Sequence, residues 1–208
     1  MALATYADLK TSIAAWATRT ELTATLPDFV AWAHQEISRR LRANVLLTAI
    51  DLTLSAETIA QPAGFLAFKR LYLDTTPRRQ LTTVSAETAM AMSAEYATSS
   101  YPTAVAVEGT LLRFAPLFSG TTTVAKALYY KAPTTLVAAG DTNVVLTKYP
   151  FLYLYGSLEA LFRYIEDDNN AGIYGGQFGA LIEDINAKEA GDLMSGPLQM
   201  HAYSGGVV

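Results

Sequence analysis

Apolar side chains change their spacing twice along this chain, and that change restricts the folds open to it more than any other feature. Near the start, Tyr6, Leu9, Ile13 and Trp16 recur at steps of three and four, one face of an α-helix. Thr5 with Asp8 three residues later forms a variant of the capping box, which places the start of that helix. Val30, Ala33, Ile37 and Leu41 repeat the spacing after Leu26-Pro27-Asp28, where proline suits a first helical turn. From Leu46 the spacing becomes strand-like. Candidate strands are Leu46 to Ser55, Phe65 to Asp74, a weaker Arg78 to Val84, and Thr121 to Lys131. Val105 to Phe114 (VAVEGTLLRF) reads as a hairpin turning at Gly109. One helix interrupts this region, Ser85 to Ala97, opened by a capping serine. Helical spacing returns at Phe151, Leu154, Leu158, Leu161 and Ile165, and again at Tyr174, Phe178, Leu181 and Ile185.

The expected fold is therefore α+β. Residues 1–45 and 146–190 form a helical bundle from N- and C-terminal helix pairs. Residues 46–145 form a β-rich, sandwich-like insertion, and residues 191–208 an extended C-terminal tail. Gly172, Gly175, Gly176 and Gly179 fall at the start of the last helical segment. A glycine inside a helix costs roughly 0.5–1 kcal/mol against alanine, so either the last helix begins near Gln177, the favoured reading, after a polar turn at Asp167 to Asn170, or close approach of another helix compensates the glycines.

Several chemistries lack their residues. There is no cysteine, which removes thiol nucleophiles, disulfides and thiolate metal sites. Phosphate-loop and dinucleotide-binding glycine patterns do not occur. His34 is followed by Gln35 and Glu36, not by the HExxH of zinc hydrolases, and reads as a partly exposed helical residue. The carboxylate runs Glu166-Asp167-Asp168 and Glu183-Asp184 point around helix ends rather than facing each other as a glycosidase requires. No cofactor or metal is expected. No stretch reaches the roughly 20 apolar residues of a membrane helix, and Met1 to Lys10 lacks the basic start and apolar run of a signal peptide.

The surface composition favours association. Charged residues make up 16% of the chain, against about 25% for a soluble domain, so much of the surface is uncharged. The net charge of −4 argues against a dedicated nucleic-acid binder. Basic residues gather at Arg39, Arg40 and Arg42 and again at Lys69, Arg70, Arg78 and Arg79. They suit either helix capping and ordinary surface or a patch for an acidic partner or a phosphate backbone. Tyr153 and Tyr164 lie off the main helical stripe and suit an interface, where tyrosine is enriched. The tail has no charge after Asp192 but carries Leu198, Met200 and Tyr203, enough apolar side chains to dock in a groove.

Two segments resemble tailed-bacteriophage head–tail adaptor (head completion, or connector) proteins. TYADLKTSIAAWATRTEL at Thr5 to Leu22, with LPDFVAWAHQEISRRLR at Leu26 to Arg42, is similar to the family's N-terminus. LTKYPFLYLYGSLEALFRYIEDD at Leu146 to Asp168 is similar to its second signature. Pro62 to Asp74, Leu111 to Pro116 and Leu128 to Pro133 also fit its pattern.

The resemblance implies a structural virion protein at the head–tail interface, assembled in the host cytoplasm. Such a subunit forms a ring, typically of twelve, beneath the portal protein. It extends the channel through which genome DNA passes without tight binding, and it offers a platform to the tail nozzle or tube and to tail fibre proteins. On this reading Arg39, Arg40, Arg42, Tyr153, Tyr164, Leu198, Met200 and Tyr203 are the candidate portal or subunit contacts. Some members of the family are linked to cell-wall hydrolysis. A muramidase-like virion enzyme is therefore one alternative, with no catalytic residue carried over, and a non-specific nucleic-acid-binding module is another.

Overall fold

A computed structural model of the chain describes residues 3–19, 21–95, 101–116 and 123–194. Its fold is α+β, with two compact units. The helical unit takes Met1–Ala43, Ala138–Gly140 and the chain from Leu146. The β unit takes Asn44–Val137 and Asp141–Val145.

The helical unit contains α1 (Tyr6–Ala17), α2 (Leu26–Arg40), α5 (Pro150–Tyr164) and α6 (Asp168–Met194). The capping box at the start of α1 is present in both directions. The Asp8 amide donates to Thr5 Oγ1 at 3.2 Å and the Thr5 amide to Asp8 Oδ2 at 3.1 Å. Pro27 sits in the first turn of α2. Helix α5 packs against α1, α2 and α6. Nine of its fifteen residues are buried, so it has no solvent face of ordinary width and serves as the centre of the bundle. Leu154, Leu158, Leu161 and Phe162 are buried on it. On α6 the buried positions are Ala171, Phe178, Ile182 and Ile185, and Leu181 is only half-buried.

The last helix departs from the sequence reading at both ends. It begins at Asp168, not near Gln177, and its first turn is capped by Asp167, whose Oδ1 accepts the Asn170 amide at 3.1 Å. All four glycines therefore lie within it. Packing compensates their low propensity at one of them: a Cβ on Gly175 would stand 2.9 Å from the Glu159 carboxyl carbon. Gly172 and Gly176 have open space instead. The backbone stays helical to Met194, past residue 191, where the tail was expected to start.

The β unit stacks two four-stranded sheets. The first has the order β1 (Leu47–Leu54), β8 (Thr123–Lys131), β3 (Phe65–Leu73), β4 (Arg79–Gln80). The second has the order β2 (Thr58–Ala60), β7 (Leu111–Ala115), β6 (Ala104–Glu108), β5 (Thr82–Val84). Alternate residues point inward: Leu52 and Leu54, Leu71 and Leu73, Ala125 and Ala127 meet Val105, Leu112 and Phe114 in one core. The hairpin of β6 and β7 turns at Gly109, whose φ of 57° lies in the left-handed region. The stretch Arg78 to Val84 is not one strand. β4 pairs with β3 and β5 with β6, so the chain crosses between the sheets at buried Leu81. β5 and β6 are parallel, which requires a crossover. Helix α3 (Ala86–Glu95) lies on it, with Ala89 packed against Ala106 and Ala115. The short helix α4 (Val144–Lys148) precedes α5.

Candidate functional site

The three arginines at the end of α2 do not act alike. Arg39 is largely exposed and forks onto Glu36, with Nε donating to Oε1 at 3.2 Å and Nη2 to Oε2 at 2.6 Å. The guanidinium of Arg40 stands 5.9 Å from the ring centre of Phe178. Arg42 donates from Nη1 to the Ser38 and Leu41 carbonyls, at 3.1 and 2.7 Å, and so closes the helix end. Asn186 of α6 completes that cap. Its Nδ2 donates to the Arg40 carbonyl at 3.1 Å, and its Oδ1 accepts the Arg42 amide at 2.8 Å. Two of the three thus hold α2 in place, and Arg39 faces solvent.

Tyr153 is no surface anchor. It is 0% exposed, and its hydroxyl lies 2.9 Å from His34 Nδ1. The off-stripe position is buried because α5 is covered from several sides. His34 is itself half-buried, and desolvation holds its pKa below the ordinary value. Tyr164 is 61% exposed, with its ring centre 5.5 Å from that of Phe29. Leu198, Met200 and Tyr203 lie outside the described residues.

An aromatic surface on the helical unit was not anticipated. Trp16, expected to pack inward, is 39% exposed, and Phe151 is 46% exposed. Tyr155 joins them: its ring centre is 6.2 Å from Trp16 and 5.6 Å from Phe151. Tyr174 stands 6.3 Å from Trp16 and stacks on Phe162 at 5.4 Å. Trp16 is the penultimate residue of α1, and its ring lies against Tyr155 and Tyr174. Wide, rigid aromatics of this kind dominate interface energetics.

Beside Gly175 lies a cleft of about 610 Å³ lined by Glu159, Arg163, Asp168, Ala171 and glycines of α6. Glu159 is 7% exposed, and its Oε1 accepts Arg163 Nη2 at 2.6 Å. Burial raises its pKa, Arg163 opposes that rise, Glu36 adds to it and Arg40 lowers it. The guanidinium of Arg163 also stands 5.9 Å from the ring centre of Trp32. The carboxylate is held as an ion pair that ties side chains of α5 to one another beneath α6. Among the described residues no group of three or more His, Asp or Glu side chains could hold a metal ion. None of their helices is long and apolar enough to cross a membrane.

Comparison with protein-family models matches residues 4–201 to the model described as SU10 adaptor protein. No curated protein matches the chain.

Proposed function

The chain belongs to the SU10 adaptor protein family, phage head–tail adaptors, and on that premise we propose that it is a ring subunit beneath the portal protein. The observation that carries this reading is the family match across residues 4–201. The ring, of twelve copies, extends the DNA channel and seats the tail nozzle or tube and tail fibre proteins. The subunit works without catalysis. Its exposed aromatics Trp16 and Phe151, with Tyr164 and Arg39, supply interface contacts suited to a heterologous, ring-closing interface. The tail residues Leu198, Met200 and Tyr203 add to the portal contact.

The net charge of −4 per subunit repeats around such a ring and repels DNA phosphates, so the genome slides rather than sticks. Duplex binding is expected to be no tighter than about 10⁻⁶ M at physiological salt, the range of non-specific binders. Electron microscopy of the protein mixed with its portal tests the reading directly. Rings seated on the portal support it. Particles that retain DNA and bind tails without this protein refute it.

A further inference from the structure

Charge is unevenly divided between the two units. The helical unit has eight basic against twelve acidic residues, and the β unit has seven against seven. Within the β unit the signs separate again in part. Lys69, Arg70 and Lys126 lie on the outer face of the first sheet, with Asp51 and Asp74 beside Lys126, and with Arg78 in the loop at its edge, while Lys131 and Arg79 fall in register with core-facing Phe65 and Leu73. Glu57, Glu87, Glu95 and Glu108 belong to the second sheet and its covering helix, where Arg113 binds both Glu57 and Glu108.

A β-bulge sharpens the basic face. Phe68 pairs with Tyr129 and Arg70 with Leu128, which leaves Lys69 as an extra residue in β3. Phe68 and Tyr129 point to the core. Regular alternation would send Lys69 and Arg70 to opposite sides of the sheet. The bulge re-aims the strand, so Lys69 Nζ sits 5.7 Å from the ring centre of outward Tyr130 and donates to Asn44 Oδ1 at 3.3 Å. Arg70, also outward, donates to the Tyr72 hydroxyl at 3.2 Å. The result is a basic, tyrosine-lined face in a chain of net negative charge.

We infer that this face docks the acidic helical unit of a second copy of the chain. The inference rests on the ring reading and names the surfaces that meet in it. The complementary feature is the corner between α5 and α6, where Glu166, Asp167 and Asp168 follow one another. Glu166 and Asp168 are exposed, and no ion pair among the described residues engages either of them. DNA fits the face less well. Lys126 lies 3.7 Å from Asp51 and 3.6 Å from Asp74, and Asp74 also meets Arg78. Those carboxylates would stand against a phosphate backbone, but they match a protein surface in which Arg163 lies among the acids.

The test is a charge swap in the full-length chain, read by ring formation with the portal in electron microscopy and sedimentation. The Lys69→Glu/Arg70→Glu chain is expected to need at least about tenfold more protein to assemble, because like charges then face each other. The Glu166→Lys/Asp168→Lys chain is expected to fail similarly, and a chain carrying all four changes to recover. Lys69→Gln/Arg70→Gln, which removes charge without reversing it, is expected to lose less and to melt at the parent's temperature. Single swaps that assemble like the parent overturn the inference and leave the ring reading standing. So does a four-fold variant that folds but recovers nothing, or a swap whose only effect is on duplex DNA affinity. A parent chain that forms no ring on its portal refutes the ring reading and the inference with it.

Discussion

Replacing Gly156 by alanine separates two opposing effects that the structure makes measurable. Gly156 lies inside α5, where alanine is favoured over glycine by about 0.5–1 kcal/mol. A Cβ there would stand 3.0 Å from the Cβ of Ala33 on α2 and 3.2 Å from the Phe178 ring of α6. Both neighbours are fully buried, and neither is the free end of a flexible chain. Admitting the methyl requires α2 and α6 to give way by tenths of an ångström across packed faces. Overpacking of this kind costs about 1–3 kcal/mol. The balance runs from no change to a loss of about 2.5 kcal/mol. Gly172→Ala and Gly176→Ala share the helical gain, but nothing lies within 4 Å of either Cβ. Each should stabilise by about 0.4–1 kcal/mol. Urea denaturation followed by tryptophan fluorescence is the assay, because the only two tryptophans, Trp16 and Trp32, both lie in the helical unit. The reasoning is refuted if Gly156→Ala is more stable than the parent, or if Gly172→Ala destabilises by more than about 1 kcal/mol.

Leu158 is fully buried on the central helix, so Leu158→Ala is expected to cost about 2–5 kcal/mol in the same assay. A loss under about 0.5 kcal/mol would show that this face is not packed. His34 has its pKa lowered in the folded protein, so the unfolded chain takes the proton first as pH falls through about 6.5. The helical unit should therefore lose stability on acidification below that pH, and His34→Gln should flatten this part of the curve. An unchanged slope in the variant would assign the pH dependence to other groups. Deleting residues 196–208 is expected to leave the melting temperature nearly unchanged and to weaken attachment to the portal. A truncated chain that attaches normally refutes the role given to Leu198, Met200 and Tyr203.

The α+β class, the helix start at Thr5 and the hairpin at Gly109 were legible in the sequence, because each depends on residues close together in the chain. Capping needs one oxygen and one amide three residues apart, and a two-residue turn needs one position that accepts a positive φ. The candidate contact residues were less legible. Periodicity finds the dominant stripe of a helix but not how many neighbours surround it. With three helices around α5, the off-stripe Tyr153 is as buried as Leu154, while Trp16, on the stripe, is 39% exposed. Propensity placed the start of α6 too late, because the closeness of Glu159 that favours glycine at position 175 comes from another helix. The division of Arg78 to Val84 between two sheets, and the bulge that brings Lys69 and Arg70 to one face, depend on which strands lie alongside. Local order is set by neighbours in the chain. Which side chains reach solvent is set by neighbours in space, and those exist only once the tertiary structure has formed.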